Sequence, residues 1–448
     1  GVLLEHQSTG SKHLHIDSTN NNNVFSLAFK TNPPDATGVP HILEHTTLCG
    51  SDKYPVKDPF FKMLNRSLSN FMNAMTAHDY TYYPFSTTNE KDFMNLMDVY
   101  LDCTIHPMLR FRDFLREGWR LENEKVDDKT SPLQFKGVVY NEMKGQTSNL
   151  QYKFYIRHRE NLYPSLNNSG GDPNFITDLA YDDLVNFHKV KYHPSNMKTF
   201  SFGNIKLETI LEKVHNSIGG FGKKIQHPMH DNKQPLDLSS EKVIVIEKSA
   251  IDPMLPLDRQ VTQSLTWELN KPQEDLLLNF KLTLLSNLVF DNMNSPFYKK
   301  IIETGKALEY SCNTGFESVS NRNFITVGFQ GLGDNFKESK ELEELISKIW
   351  VEDIIGKAET VFDNSKIQGL VNQLELRMKH QKANFGMSLL NGVLPLWVNK
   401  CDPLELMSFN ERLEDFKQDF EERGPTVFTE LIEEYILNKN TFKFTTFG

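Results

Sequence analysis

His41-Ile42-Leu43-Glu44-His45 sets two imidazoles and a carboxylate close together in the chain. On a helix that turns about 100° per residue, His41 stands at about 0°, Glu44 at about 300° and His45 at about 40°. The three side chains share one face. Two imidazoles at i and i+4 can bind one Zn²⁺ while the carboxylate points at a water on the metal. The HExxH arrangement puts the Glu on the other flank of the histidine pair, and HxxEH is its inverted form. Neutral imidazoles are good zinc ligands, and a catalytic zinc keeps one position open, where bound water has a pKa of about 7. A carboxylate can take that water's proton and later deliver it to a leaving amine. A third protein ligand must come from elsewhere, and an acidic one gives a His₂Glu set. By chance HxxEH turns up in roughly 3% of chains this long, as a helix with two surface histidines beside a glutamate.

The flanks favour a helix that could hold such a site. Pro40 suits a first helical turn, where its missing N–H costs nothing. Gly50 suits a left-handed stop, so the spacing predicts a short helix over His41–Cys49. Ahead of it, Val2–Ser8, His13–Ser18 and Val24–Thr31 read as a β-meander, with the Asn20–Asn23 tract as a loop. Phe60–Ser67 reads as a short helix, and Asn70–Ser86 as one or two strands. Helices are expected over Phe93–Leu101, Phe111–Trp119, Phe135–Lys144 and Asp178–Tyr192, then a strand over Met197–Ile205.

His227–Ser240 is polar and holds two prolines, which marks a linker. After it the order of elements partly repeats: strands at Val243–Ile246 and Gln260–Glu268, helices at Glu274–Asp291 and Phe297–Thr304, strands at Leu308–Gly315 and Phe324–Gln330, further helices, and a last strand at Thr441–Phe447. The expected fold is α+β, made of two related α/β units, each a mostly antiparallel sheet with helices packed on one face. The expected domains are residues 1–226, carrying the metal motif, a linker 227–240, and a related non-metal-binding domain 241–448.

Composition narrows the class. The 448 residues include 49 Lys+Arg and 59 Asp+Glu, a formal charge of −10, with 38% apolar and 24% charged residues. That is a globular balance with ample core. No apolar run approaches the roughly 20 residues of a membrane helix. The acidic balance and the lack of a basic stripe argue against nucleic acid and fit a cationic partner. Cys49, Cys103, Cys312 and Cys401 show no CxxC spacing and read as buried thiols in a reducing compartment. The first residues carry no targeting pattern, so any targeting segment is expected to have been removed or left out.

Residues 41–87, HILEHTTLCGSDKYPVKDPFFKMLNRSLSNFMNAMTAHDYTYYPFST, resemble the pitrilysin/insulinase family of inverted-motif zinc peptidases, closest to its presequence protease branch. Phe135-Lys-Gly-Val-Val-Tyr-Asn-Glu-Met-Lys-Gly145, Ser169-Gly-Gly-Asp-Pro173, Phe187-His188 and Tyr192-His-Pro-Ser-Asn196 match as well. The likeness is strong over about residues 24–205 and continues more weakly through the second half.

The resemblance implies one Zn²⁺ per chain, with His41 and His45 as ligands, Glu142 as the third ligand and Glu44 as general base. Spacing alone does not choose Glu142 over Glu117, Glu122 or Glu124. It further implies that Asn70–Tyr83 holds the substrate backbone beside the metal, with Asn73 and Ala74 as the binding positions. Main-chain hydrogen bonds would then grip an extended peptide with little demand on its side chains. His78 and Asp79 are not needed, because the ligand set is complete without them. Tyr80, Tyr82 and Tyr83 read as packing residues.

Members of that branch are about twice this length, with four related units enclosing a chamber. This chain supplies two of them, so the resemblance implies an amino-terminal half that binds zinc. Hydrolysis would draw on groups of the carboxy-terminal half, which becomes its partner. The implied activity is a zinc metalloendopeptidase that degrades unfolded, often basic peptides such as cleaved targeting peptides in the mitochondrial matrix. Two alternatives stay open: a processing-peptidase or insulin-degrading type of the same family, and a non-catalytic scaffold subunit of the same fold, whose relatives typically lack a complete metal set.

Overall fold

Strand alternation and one sequence-distant helix build the first sheet. The computed structural model describes residues 1–164, 166–222, 235–319, 322–379 and 382–448. In chain order the first elements are β1 (Val2–Glu5), β2 (Lys12–Asp17), β3 (Asn23–Lys30), α1 (Val39–Thr47), α2 (Pro59–Leu64), β4 (Ser69–Met72), β5 (Met75–Thr76), β6 (Tyr80–Thr87), α3 (Glu90–Ile105), α4 (Phe111–Glu117), β7 (Arg120–Asn123), β8 (Leu133–Lys136), α5 (Val138–Gln146) and, further on, β9 (Met197–Gly203). The sheet runs β1-β2-β9-β3-β6-β4, with β5 also paired to β6.

The opening is therefore not a meander. β9 lies between β2 and β3, parallel to the first and antiparallel to the second. The Asn tract spans this crossover and is bonded throughout: Asn23 Oδ1 accepts from the Asn204 and Ile205 amides, and Asn70 Nδ2 donates to Asn22 Oδ1 at 2.8 Å. The stretch expected as one helix from Phe135 begins as strand β8, paired with β7, and turns helical only at Val138.

On β3 and β6, Phe25, Leu27, Phe29, Tyr83 and Phe85 point to one side. Phe85 packs on Phe93 and Tyr100 of α3, with ring centroids 5.2 and 5.1 Å apart. Each such ring, fully buried, stabilises the fold by about 1.5–3 kcal/mol. Every residue of β3 is buried, because its second face is also covered. That cover is the helix Phe385–Trp397, where Phe385 stacks edgewise on Phe202 at 6.0 Å and Asn391 Oδ1 accepts from the Tyr82 hydroxyl at 3.2 Å.

Contacts divide the chain into two compact units. The first comprises Gly1–Ser148, Ser165–Lys233 and Lys382–Val398, the second Asn149–Pro164, Gln234–Gln381 and Asn399–Gly448. Each unit thus includes one helical segment from beyond a single cut in the sequence. Of the 227–240 stretch read as a linker, the part up to residue 234 lies outside the described residues.

The second unit repeats the first sheet's pairing logic. Its strands are β10 (Val243–Lys248), β11 (Val261–Glu268), β12 (Glu309–Tyr310), β13 (Gly315–Val319), β14 (Arg322–Leu332) and β15 (Phe442–Phe447), ordered β10-β15-β11-β14-β12 with β13 also on β14. The last strand, β15, inserts between β10 and β11, parallel to the first and antiparallel to the second, as β9 does between β2 and β3. The duplicated α+β architecture follows from this shared order. Leu265, Trp267, Val327 and Phe329 join the buried core under the helices Leu276–Phe290 and Phe409–Arg423. The helix Leu150–Leu162 lies on the other face, with Phe154 5.1 Å from Phe444 and His158 Nε2 2.8 Å from Thr266 Oγ1. All four cysteines are free; Cys49, Cys103 and Cys401 are buried, whereas Cys312, also read as buried, is exposed. Among the described residues no helix is long and apolar enough to cross a membrane.

Candidate metal centre

α1 starts earlier than its flanking signals suggest. Gly38 caps it in a left-handed conformation (φ +70°), and Pro40 falls in the first turn. The reason for a glycine is both conformational and steric. A Cβ on Gly38 would lie 2.7 Å from the Gly170 carbonyl oxygen and 2.7 Å from Gly171 Cα. The Ser169-Gly-Gly-Asp-Pro173 segment therefore closes directly on the N-terminus of α1, and it brings Gly170 O to 3.3 Å from His41 Nδ1.

α4 and α5 supply the carboxylates. Glu117 ends α4, and Gly118 follows it. A Cβ on Gly137, the cap of α5, would meet the Gly118 carbonyl oxygen at 1.9 Å, so the start of α5 is held against the end of α4. Val139 and Met143 bury one face of α5, and Glu142 stands on the flank toward α1.

The result is a convergent donor set. Glu142 Oε2 lies 3.7 Å from His41 Nε2 and 3.9 Å from His45 Nε2. One ligand atom from each of His41, His45 and Glu142 falls within 4.8 Å of the others. Four-coordinate zinc with bonds of about 2.0–2.1 Å needs donors about 3.3–3.5 Å apart, so small side-chain adjustments would close the set. The two rings stand edge to face at 76° with centroids 5.0 Å apart.

The remaining ring nitrogens are engaged in ways that fix the tautomers. His45 Nδ1 is 3.2 Å from Glu117 Oε2, and His41 Nδ1 faces the Gly170 carbonyl. Both partners only accept, so each Nδ1 carries hydrogen, and in the neutral form of each ring the Nε2 lone pair is the one left facing Glu142. This is the outer support that ligating histidines use. The donor types, their convergence and these tautomers fit a zinc ion.

Glu117 is itself held. Arg116 Nε donates to Glu117 Oε1 at 2.8 Å, and the same guanidinium bonds Asp58 Oδ2 at 3.2 Å and Cys49 Sγ at 3.1 Å. Burial pushes the Glu117 carboxyl up, but the His45 hydrogen bond and the Arg116 charge more than offset it and hold it below the usual range. Burial pulls His45 down, yet the Glu117 bond and the charges of Glu44, Glu117 and Glu142 leave it raised. For His41 burial dominates, helped by the neighbouring His45, and its pKa is lowered despite Glu44.

Glu44 is 7% exposed and lies beside the donor set without joining it. Its Oε2 accepts from Thr76 Oγ1 at 2.6 Å. Asn73 and Ala74 sit in a break between β4 and β5, on the open edge of the sheet. Asn73 N donates to Pro84 O at 3.1 Å, the Tyr100 hydroxyl donates to Asn73 O, and Ala74 N donates to Asn73 Oδ1 at 3.0 Å. His78 and Asp79 do not belong to the donor cluster. Tyr83 is buried, with its hydroxyl 2.7 Å from that of Tyr192.

Sequence reasoning missed three groups here: Glu117, Thr76 and the Gly170 carbonyl. Glu117 had appeared only as a rival third ligand. A ligating imidazole wants an acceptor behind it, so an acceptor was to be expected, but Glu117 stands 72 residues from His45 and nothing local singles it out.

Two family models match the chain: Insulinase (Peptidase family M16) over residues 30–151 and Peptidase M16 inactive domain over residues 178–352. The mitochondrial presequence protease of Kluyveromyces lactis is 54% identical over 448 residues, spanning 100% of this chain and 44% of that protein. The protein of the same name from Saccharomyces cerevisiae is 50% identical over 447 residues, again covering 100% and 44%. The chain thus spans less than half the length of these curated relatives. A protease from Helicobacter pylori superposes with a TM-score of 0.72 at 15% identity, covering 100% of this chain and 99% of the other. A peptidase M16 inactive domain from Pseudomonas fluorescens gives 0.70 at 12% identity, covering 99% and 97%. At those identities the likeness concerns the fold.

Proposed function

Because the chain belongs to the insulinase (peptidase M16) family, we propose that it is the metal-bearing part of a zinc metalloendopeptidase acting on unfolded peptides. The observation that carries this reading is the convergence of His41 Nε2, His45 Nε2 and Glu142 Oε2, with the Glu44 carboxylate alongside. His41, His45 and Glu142 would hold the ion. Zinc bound there supplies a Lewis acid and lowers the pKa of a water it binds.

The chain's own groups do the rest. Glu44 accepts a proton from the attacking water and returns it to the departing amide nitrogen. Glu117 and Gly170 O keep both imidazoles aimed. The open edge at Asn73–Ala74 receives the peptide as an added strand, which selects extended chains over folded ones.

Substrate class and location rest on the relatives. They are named mitochondrial presequence proteases, and the reading assigns this chain cleaved presequences as substrates and the mitochondrial matrix as its site of action. Presequences are Arg-rich and poor in acidic residues, so a net charge of −10 favours their capture at low salt. The remaining length of the relatives is assigned to a carboxy-terminal partner half that completes the site. The test is hydrolysis of a fluorogenic basic peptide by the chain with and without that half. The reading expects activity that a chelator abolishes, zinc restores and Glu44→Gln removes. A Glu44→Gln protein as active as the parent would overturn the general-base assignment. Peptide capture indifferent to ionic strength would overturn charge steering.

A further inference from the structure

Thr76 Oγ1 lies 2.6 Å from Glu44 Oε2, 3.4 Å from Thr81 Oγ1, and Thr81 Oγ1 lies 2.8 Å from Thr31 Oγ1. Thr76 and Thr81 face each other across the β5–β6 ladder. Thr31 and Thr81 are fully buried, and Glu44 nearly so. A hydroxyl has one proton to give, and an ionised carboxylate only accepts. Thr76 gives its proton to Glu44, so toward Thr81 it can only accept, and Thr81, which also meets Thr31 and Tyr192, links the pair to the buried sheet. Each bond polarises the next. Oε2 of Glu44 is tied into the sheet, and Oε1 takes no hydrogen bond among the described residues.

Thr76 also belongs to the two-residue strand β5, which pairs on one side with β6 and lies next to the break at Asn73–Ala74. A strand this short, paired on one side only, has few ladder bonds, and a peptide filling its other edge would add to them. We infer that Thr76 is a positioning residue that couples peptide docking on β5 to the orientation of the Glu44 carboxylate. This rests on the proposed peptidase reading and extends it to substrate length. A peptide long enough to pair along β5 fixes Thr76, and Thr76 fixes the base with Oε1 toward the water. A short peptide reaches the metal but leaves that edge of β5 unfilled. Such a device spends remote contacts on kcat, so truncated substrates should lose turnover as well as affinity.

The experiment compares parent, Thr76→Val, Thr76→Ser and Glu44→Gln in the full-length protein, with synthetic peptides of increasing length that share one cleavage site. Zinc content, melting temperature and peptide Kd in a Glu44→Gln background are measured alongside. Parent kcat should rise with peptide length. Thr76→Val should keep its zinc, bind peptide within about two-fold of the parent, lose about ten-fold or more in kcat on long peptides, and lose the length dependence. Thr76→Ser, which keeps the donor, should stay within about three-fold of the parent. The inference is overturned if Thr76→Val turns over like the parent while Glu44→Gln is inactive, or if Thr76→Ser falls as far as Thr76→Val. An active Glu44→Gln would instead overturn the general-base reading itself, and this inference with it.

Discussion

Glu117 Oε2 lies 3.2 Å behind Nδ1 of His45, on the side away from Glu142. That carboxylate is kept ionised and in place by Arg116, which is in turn anchored on Asp58. The contact fixes which nitrogen of His45 faces the donor set. Glu117→Gln should lower zinc affinity by about 10–100-fold while leaving one ion per chain at saturation. Competition with a chromophoric chelator measures it, and an unchanged affinity would remove Glu117 from the site's support.

Gly38 tests the same idea from the His41 side. Its left-handed backbone alone makes an L-side chain costly by about 1–2 kcal/mol, and the new Cβ would press on Gly170 and Gly171 at 2.7 Å. Gly38→Ala should lower the melting temperature by several degrees and weaken zinc binding as well, because the displaced segment carries the acceptor for His41 Nδ1. A variant that loses stability but binds zinc with parental affinity would separate the two roles.

Acid sensitivity follows from three buried imidazoles. Burial, with a contribution from His15, depresses His13 to about 3. Burial and the Arg159 charge depress His158 to about 3, and burial depresses His188 to about 4 against a bond from its ring to the Thr104 carbonyl. The unfolded chain protonates these groups near 6.5 and the folded chain does not. Between about 6.5 and 4 the unfolded state therefore binds more protons, and stability falls as pH falls. Each histidine contributes a slope of about 1.4 kcal/mol per pH unit at most. Urea midpoints should drop steadily from pH 7 to pH 5, and a flat profile would contradict buried neutral histidines.

His45 shifts in the opposite sense. Its folded pKa is raised, so in the metal-free chain it adds stability that is fully present below about 6.5 and fades as pH rises through the folded value. Zinc must displace that proton. Zinc affinity should therefore weaken as pH drops through the raised His45 value, by about ten-fold per pH unit or more. Calorimetry at pH 8, 7 and 6 reads this directly, together with the protons released, and a pH-independent affinity would exclude His45 as a ligand.

The parts of this site that share one helix were legible in the sequence, since the 3.6-residue period alone aligns His41, Glu44 and His45. Glu142 was not legible from spacing. It lies far along the chain, and only the family resemblance separated it from Glu117, Glu122 and Glu124. Glu117 reaches the site by tertiary packing of α4 on α1, which no local pattern encodes. The strand segments were largely readable, but their order was not: the insertion of β9 between β2 and β3 is a long-range choice. The full burial of β3 was hidden as well, because the helix that covers its second face comes from residues 385–397. At Phe135–Lys144 the apolar spacing blended a strand and a helix, and Gly137 marks the true break.

The most direct measurement is an anomalous-difference map at the zinc absorption edge from crystals of the zinc-loaded chain. The account predicts a single strong peak per chain, about 2.0–2.2 Å from His41 Nε2, His45 Nε2 and a Glu142 carboxylate oxygen, with Glu44 outside bonding distance. A peak elsewhere, or none with the three side chains ordered as described, would contradict it.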